Sequence, residues 1–167
     1  ESELGRGSTF HFTARLEQPA ESDRPPQTPT TGVKGKAVLI VDDNSTTRRI
    51  LDETLRDAGV KTTLASGAYE AISAVDKARR AGAPFDAVLT DANMPGADGF
   101  MLFEQLKKSG QAPSVVMLLS SGDRLGDVAR CEAIGAKYYL VKPVKESELI
   151  ATLAAAVSGD VAPVRAG

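Results

Sequence analysis

Between residues 36 and 158 the chain alternates two kinds of segment, and that alternation limits it to one class of fold. Short apolar runs stand at Ala37–Val41, Lys61–Ala65, Phe85–Thr90, Ser114–Leu119 and Tyr138–Val141. Stretches of helical periodicity separate them. In the first, Ile50, Leu51, Leu55 and Ala58 fall on one face, and Gly59 supplies a stop. In the last, Leu149, Ile150, Leu153, Ala154 and Val157 recur at helical spacing. Gly82, Gly110 and Gly135 close the helices between. Five strands alternating with five helices predict an α/β domain, a parallel sheet covered on both faces.

The flanks read differently. From Thr9 the chain alternates, with Phe10, Phe12, Ala14 and Leu16 on one face and Thr9, His11, Thr13 and Arg15 on the other. That pattern predicts a half-buried strand within residues 1–18. Residues 19–35 are rich in Pro, Thr, Ser, Gln and Gly without an apolar period, as in a flexible linker. Residues 159–167 read as a tail or second linker. The chain starts at Glu1 rather than Met and shows no signal peptide, so it is read as a piece of a longer protein.

Composition narrows the function classes. A chain that is 42% hydrophobic and 25% charged has the make-up of a soluble globular protein. A net charge of −2 gives no basic field to hold nucleic acid or an anionic membrane. Cys131 stands alone, which rules out an internal disulfide and fits a reducing compartment. No apolar run approaches the roughly 20 residues that a membrane helix needs. The expectation is a cytoplasmic domain without direct membrane contact, although a longer parent can be membrane-anchored.

In an open parallel sheet the working groups sit just past the carboxyl ends of the strands. Asp42 and Asp43 follow the first run, and Asp91 the third. Ser120 and Ser121 follow the fourth, and Lys142 the fifth, ahead of Pro143. Three carboxylates converging without a cation would repel and raise one another's pKa. A Mg²⁺ ion cancels that repulsion, and it takes oxygen ligands. Lys142 adds a compact charge able to neutralise Asp91 or a phosphoryl oxygen, and Ser120 a hydroxyl donor. Phosphoryl transfer is largely positioning and electrostatics, so this small set suffices for it.

Taken singly, each piece has a bland alternative. Asp-Asp before Asn44-Ser-Thr-Thr suits a helix N-terminus in any case. Asp91 ahead of Pro95-Gly96 can be turn chemistry, and Lys142 a solvated surface lysine. It is the agreement of four strand ends that favours a site. Rival motifs fail on inspection. A calcium loop beginning at Asp91 would need Asp or Asn where Pro95 stands and Glu where Leu102 stands. An aspartate-nucleophile phosphatase would want Asp at Asn44, and no Gly-x-x-x-x-Gly-Lys-Ser/Thr loop exists.

With these residues in view, the chain resembles the receiver domain of two-component signalling. The matching stretches are Val38-Leu-Ile-Val-Asp42-Asp43-Asn44, Val88-Leu-Thr-Asp91-Ala-Asn93-Met-Pro-Gly-Ala-Asp98-Gly99, Met117-Leu-Leu-Ser120-Ser121 and Tyr138-Tyr139-Leu-Val-Lys142-Pro143. The resemblance covers residues 36–158. It implies a flavodoxin-like, five-stranded sheet in the order 2-1-3-4-5. It makes Asp91 the phosphoacceptor, with Asp42 and Asp43 the acidic pair and Asp43 directly on Mg²⁺. Asn93 would give the metal a backbone carbonyl, Ser120 the switch hydroxyl and Lys142 the charge partner. Tyr139 falls on the aromatic switch position, with a packed strand aromatic as its alternative. The span from Asp43 to Asp91 is a few residues longer than in the shortest receivers, through Lys77-Ala-Arg-Arg-Ala-Gly82, and Gly122 follows Ser121 where side chains vary. Neither departure removes a chemical group.

The strip Glu1–Leu16 is similar to the end of a histidine-kinase ATP-binding domain, which often closes on Gly-x-Gly-Ser-Thr-Phe-x-Phe. It implies a hybrid histidine kinase in which the donor is a phosphohistidine of the parent and a histidine phosphotransfer domain stands downstream. His11, the lone histidine, lies on the outer face of a strand rather than on an exposed helix, and is read as structural. Cys131, near Val128 and Ile134, is read as buried filler. A pseudo-receiver that is not phosphorylated and regulates the kinase by docking is the alternative function. A stand-alone regulator of DNA binding is disfavoured by the absence of basic sequence downstream.

Overall fold

The structure is a computed structural model, and it describes residues 2–3, 7–8, 13, 32–110, 113–122 and 124–160. Its sheet contains β1 (Ala37–Val41), β2 (Lys61–Ala65), β3 (Ala87–Asp91), β4 (Ser114–Leu119) and β5 (Tyr138–Val141). The helices are α1 (Ser45–Asp57), α2 (Ala68–Arg80), α3 (Gly99–Lys108), α4 (Arg124–Ile134) and α5 (Glu146–Ser158). The strands are all parallel, in the order β2-β1-β3-β4-β5. This is the flavodoxin-like arrangement anticipated above. Separately, Ser2–Glu3 pairs antiparallel with Gly7–Ser8. The alternating strip from Thr9 to Leu16 lies outside the described residues apart from Thr13, as do residues 19–31 and 161–167.

Strand alternation sorts the core into two layers. Leu39, Val41, Val88, Met117 and Leu119 face α2, α3 and α4, where Phe100, Leu102 and Cys131 meet them. Val38, Ile40, Leu89, Val116 and Leu118 face α1 and α5, where Leu55, Leu149, Ile150 and Leu153 pack. Each such side chain contributes roughly 1.5–3 kcal/mol of burial. The central strands β1, β3 and β4 are therefore almost wholly buried, whereas edge strand β2 is mostly exposed.

Local signals fix the helix ends near the site. The Asn44 side chain accepts from the backbone N–H groups of Thr46 and Thr47, which starts α1 immediately after the acidic pair. Gly59, at φ +81°, ends the same helix in a left-handed conformation. The chain reaches β1 through a short turn in which Val33 is buried among the α1 and α5 side chains. A Cβ added to Gly32 would stand 2.9 Å from Ala154 Cβ on α5, so Gly32 packs closely against that side chain.

Two local expectations are corrected. Ile50 does not share the buried face of Leu51 and Leu55; it is 54% exposed. The third strand begins at Ala87 rather than Phe85 and runs through Asp91, which pairs with Leu118. Asp86 instead turns its carboxylate to Ala37 N at 2.8 Å and Lys36 Nζ at 3.2 Å, fastening the start of β1. Among the described residues no helix is long and apolar enough to cross a membrane.

Candidate functional site

The carboxyl ends of β1, β3, β4 and β5 bring together the residues expected from the sequence. Asp42 directly follows β1 and is fully buried. Its Oδ1 accepts from Asn44 N at 2.8 Å and its Oδ2 from Lys142 Nζ at 3.2 Å, so both oxygens are engaged. The Arg48 guanidinium donates to its backbone carbonyl. Asp43 is exposed, and among the described residues its carboxylate has no hydrogen-bond donor. Asp91 ends β3, buried but open at its tip, with Oδ1 accepting from Asn93 N at 3.3 Å. Each of Asp42, Asp43 and Asp91 can offer an oxygen within 4.8 Å of the others.

Lys142 answers this charge. Its ammonium lies 2.9 Å from Asp91 Oδ2 as well as beside Asp42. Burial alone would lower its pKa, but the hydrogen bond and charge of Asp91, followed by those of Asp42, outweigh burial and raise it. Its own backbone N–H is tied to Leu119 O at 2.9 Å, and its bond to Pro143 is cis. One ammonium against three carboxylates still leaves the cluster negative. A hard divalent cation that takes oxygen ligands fits this donor set, to which Asp42, Asp43 and Asp91 can each offer an oxygen.

The hydroxyl and the aromatic stand alongside. Ser120 lies one residue past β4, half-buried, with its Oγ 3.4 Å from Asn93 Nδ2. Tyr139, on β5, is half-buried against the layer formed with α2, α3 and α4. Cys131 is fully buried in that layer, in keeping with a filler role. His11 lies outside the described residues.

Sequence reasoning missed Asp127 and Arg130 and gave no role to Asp98 and Gly99. Asp127, in the first turn of α4, is buried and accepts from Asn93 Nδ2 at 3.1 Å. Arg130 pairs with Asp98 at 2.9 Å and lies over the Phe100 ring. Gly99 packs under the nucleophile candidate, since a Cβ there would meet Asp91 O at 2.2 Å. Of these, only Asp98-Gly99 carried a legible signal, as a helix cap followed by a residue without a side chain; indeed Asp98 Oδ1 accepts from Met101 N.

Residues 38–154 match the family model described as the response regulator receiver domain. Over 125 residues the chain is 33% identical to the sensory/regulatory protein RpfC of Xanthomonas campestris pv. campestris; the match takes in 73% of this chain and 16% of that protein. The chain thus spans about a sixth of the length of that curated relative. Among solved structures, it is similar to the chemotaxis protein CheY4 of Vibrio cholerae, with a TM-score of 0.63 and 32% identity over 71% of this chain and 95% of that one. A response regulator receiver domain protein from Clostridium thermocellum gives a TM-score of 0.67 and 27% identity, over 74% of this chain and 95% of that one.

Proposed function

This chain belongs to the response regulator receiver domain family of two-component signalling, and from that premise we propose that Asp91 accepts a phosphoryl group from a phosphohistidine on a partner protein or domain. The observation that carries this reading is the Lys142 ammonium, 2.9 Å from Asp91 and 3.2 Å from Asp42 at the open end of the sheet. An Asp91 carboxylate oxygen attacks phosphorus, the P–N bond breaks, and the imidazole leaves with the bonding electrons. Lys142 balances charge on a phosphoryl oxygen, and the Ser120 hydroxyl donates to another.

Asp43, Asp91 and the backbone carbonyl of Asn93 would hold Mg²⁺, with Asp42 beside them. When bound, the ion neutralises charge between the acceptor carboxylate and the incoming phosphoryl group. Asp42 is already committed to Asn44 and Lys142, so its part is to orient the lysine and support the loop.

The Ser120 and Tyr139 positions support a switch. Ser120 lies immediately past β4, so its movement toward a phosphoryl oxygen displaces the loop that leads into α4 and frees space beside Tyr139. Charge-assisted hydrogen bonds of roughly 1.5–3 kcal/mol each can tip an equilibrium whose gap is a few kcal/mol. The setting we favour is a hybrid histidine kinase in the cytoplasm, relaying onward to a histidine phosphotransfer domain. The kinase-like strip Glu1–Leu16, and the similarity to part of a much longer sensory/regulatory protein, support it.

The test is phosphotransfer from a phosphohistidine donor with Mg²⁺ present. Wild type should take up label in acid-labile, hydroxylamine-sensitive form, and Asp91→Asn should take up none while keeping its circular dichroism. Label retained by Asp91→Asn would move the site, and an unlabelled wild type would favour a module that acts by docking alone.

A further inference from the structure

The five helices are not held to the sheet in the same way. Leu51 and Leu55 anchor α1, Phe100, Leu102 and Leu106 anchor α3, and Leu149, Ile150 and Leu153 anchor α5. Ala68, Ala71 and Val75 anchor α2; among the described side chains of α4, the fully buried ones are Asp127 and Cys131, a carboxylate and a small thiol, with Val128 and Ile134 packed half-buried against the core. Its one fully buried apolar side chain is small, so its polar contacts weigh more in placing it than those of α1, α3 or α5 do.

Those contacts converge on one segment, the β3–α3 loop. Asp127 accepts from Asn93 Nδ2 at 3.1 Å, two residues after Asp91. The same nitrogen lies 3.4 Å from Ser120 Oγ, and an amide NH₂ has a proton for each acceptor. Three residues along the helix, at its exposed rim, Arg130 meets Asp98 Oδ2 at 2.9 Å and stacks 4.0 Å from the Phe100 ring centre. Asp98 in turn caps α3.

We infer that Asp127 and Arg130 form a two-point polar latch that holds α4 against the β3–α3 loop in the resting state, and that Asp127 acts as a brake on the phosphorylated one. Its effect on phosphorylation rests on Asp91 being the acceptor; its effect on α4 does not. Drawing Ser120 toward a phosphoryl oxygen separates it from Asn93 and carries the α4 loop along, which strains the Asn93–Asp127 bond. A buried carboxylate that loses its donor is penalised, so the resting arrangement, in which Asn93 supplies that donor, is favoured. Asp127→Asn keeps the shape and an acceptor oxygen but lowers that penalty.

The experiment has two arms. Amide hydrogen exchange in residues 125–134, without any phosphoryl mimic, should quicken roughly three- to tenfold in Asp127→Asn and in Arg130→Gln. Titration with beryllofluoride and Mg²⁺ should then show Asp127→Asn binding roughly tenfold tighter than wild type. Exchange unchanged in both variants overturns the latch, and equal or weaker beryllofluoride binding overturns the brake. Beryllofluoride binding retained by Asp91→Asn would instead count against the acceptor assignment, and the exchange arm would still decide the latch. Should Asp127→Asn fold poorly, Arg130→Gln and Asn93→Ala test the same attachment from its other points.

Discussion

Lys142 reaches its ammonium to within 2.9 Å of Asp91 Oδ2 although the strands that carry the two residues are not neighbours. Strand β4 lies between them, and Ser120 follows its end. The acceptor candidate, the cation and the hydroxyl are thus set on three successive strands, and the lysine side chain closes the gap over the middle one.

Lys142→Met should destabilise the protein by about 1.5–3 kcal/mol without metal, because Asp42 and Asp91 lose their charged donor. Added Mg²⁺ should recover part of the loss. The raised pKa of Lys142 sets the pH dependence: its contribution is fully present below the unfolded value near 10.5 and is lost as pH climbs through the higher folded value. Urea melts across pH should therefore show a constant gap between wild type and variant through neutrality, closing only in strong alkali. A gap that closes near neutral pH would contradict the pairing.

Asp43→Asn should weaken Mg²⁺ binding at least roughly tenfold, and more than Asp42→Asn does. Asp43 is exposed and uncommitted among the described residues, whereas both Asp42 oxygens already accept hydrogen bonds. Asp42→Asn should instead show its larger effect in thermal melting. Calorimetric titration of both variants checks the order, and the reverse order would exchange their roles.

Gly99→Ala should cost about 1–3 kcal/mol or more, since the new methyl group would stand 2.2 Å from the backbone oxygen of Asp91. That contact is backbone, which cannot swing aside. Because the displaced atom belongs to the acceptor candidate, phosphoryl uptake should fall along with the unfolding midpoint. A variant as stable and as active as wild type would mean that the loop adapts freely.

Cys131 should be inert in the folded protein. Burial, with the Asp127 charge adding and Arg130 opposing, pushes its thiol from 9.0 up to about 11. At about pH 8 that cuts the thiolate fraction roughly a hundredfold, before shielding is counted. Alkylation should therefore be slow in native protein and rapid in urea. The same raised pKa implies a stability contribution that is intact below 9.0 and lost as pH rises toward about 11. Rapid native alkylation would mean that α4 opens readily.

The sequence displayed the sheet well because buried parallel strands are continuous apolar runs, and four of the five ranges agree with the structure to the residue. The fifth differs because Asp86 serves the start of β1 and Asp91 still pairs in the ladder. Ile50 misled because helical spacing does not say where a buried stripe ends, and α1 needs only Leu51, Leu55 and Ala58 against the core. The strand-end residues were legible since topology brings such ends together. Asp127 was not, because nothing in a helix with so few large apolar side chains marks which polar residue turns inward. Its meeting with Asn93, 34 residues away, exists only in three dimensions.

The contact between Gly32 and Ala154 has a meaning for inheritance rather than chemistry. Residue 32 leads into the first strand and residue 154 belongs to the last helix, so the two boundaries of the folded unit abut. A unit closed in this way can be grafted between unrelated sequences without prising its neighbours apart, and a host need supply only a short flexible joint on either side. Recombination can thus move the whole cassette in one step, with the fit of a glycine against an alanine serving as the seam.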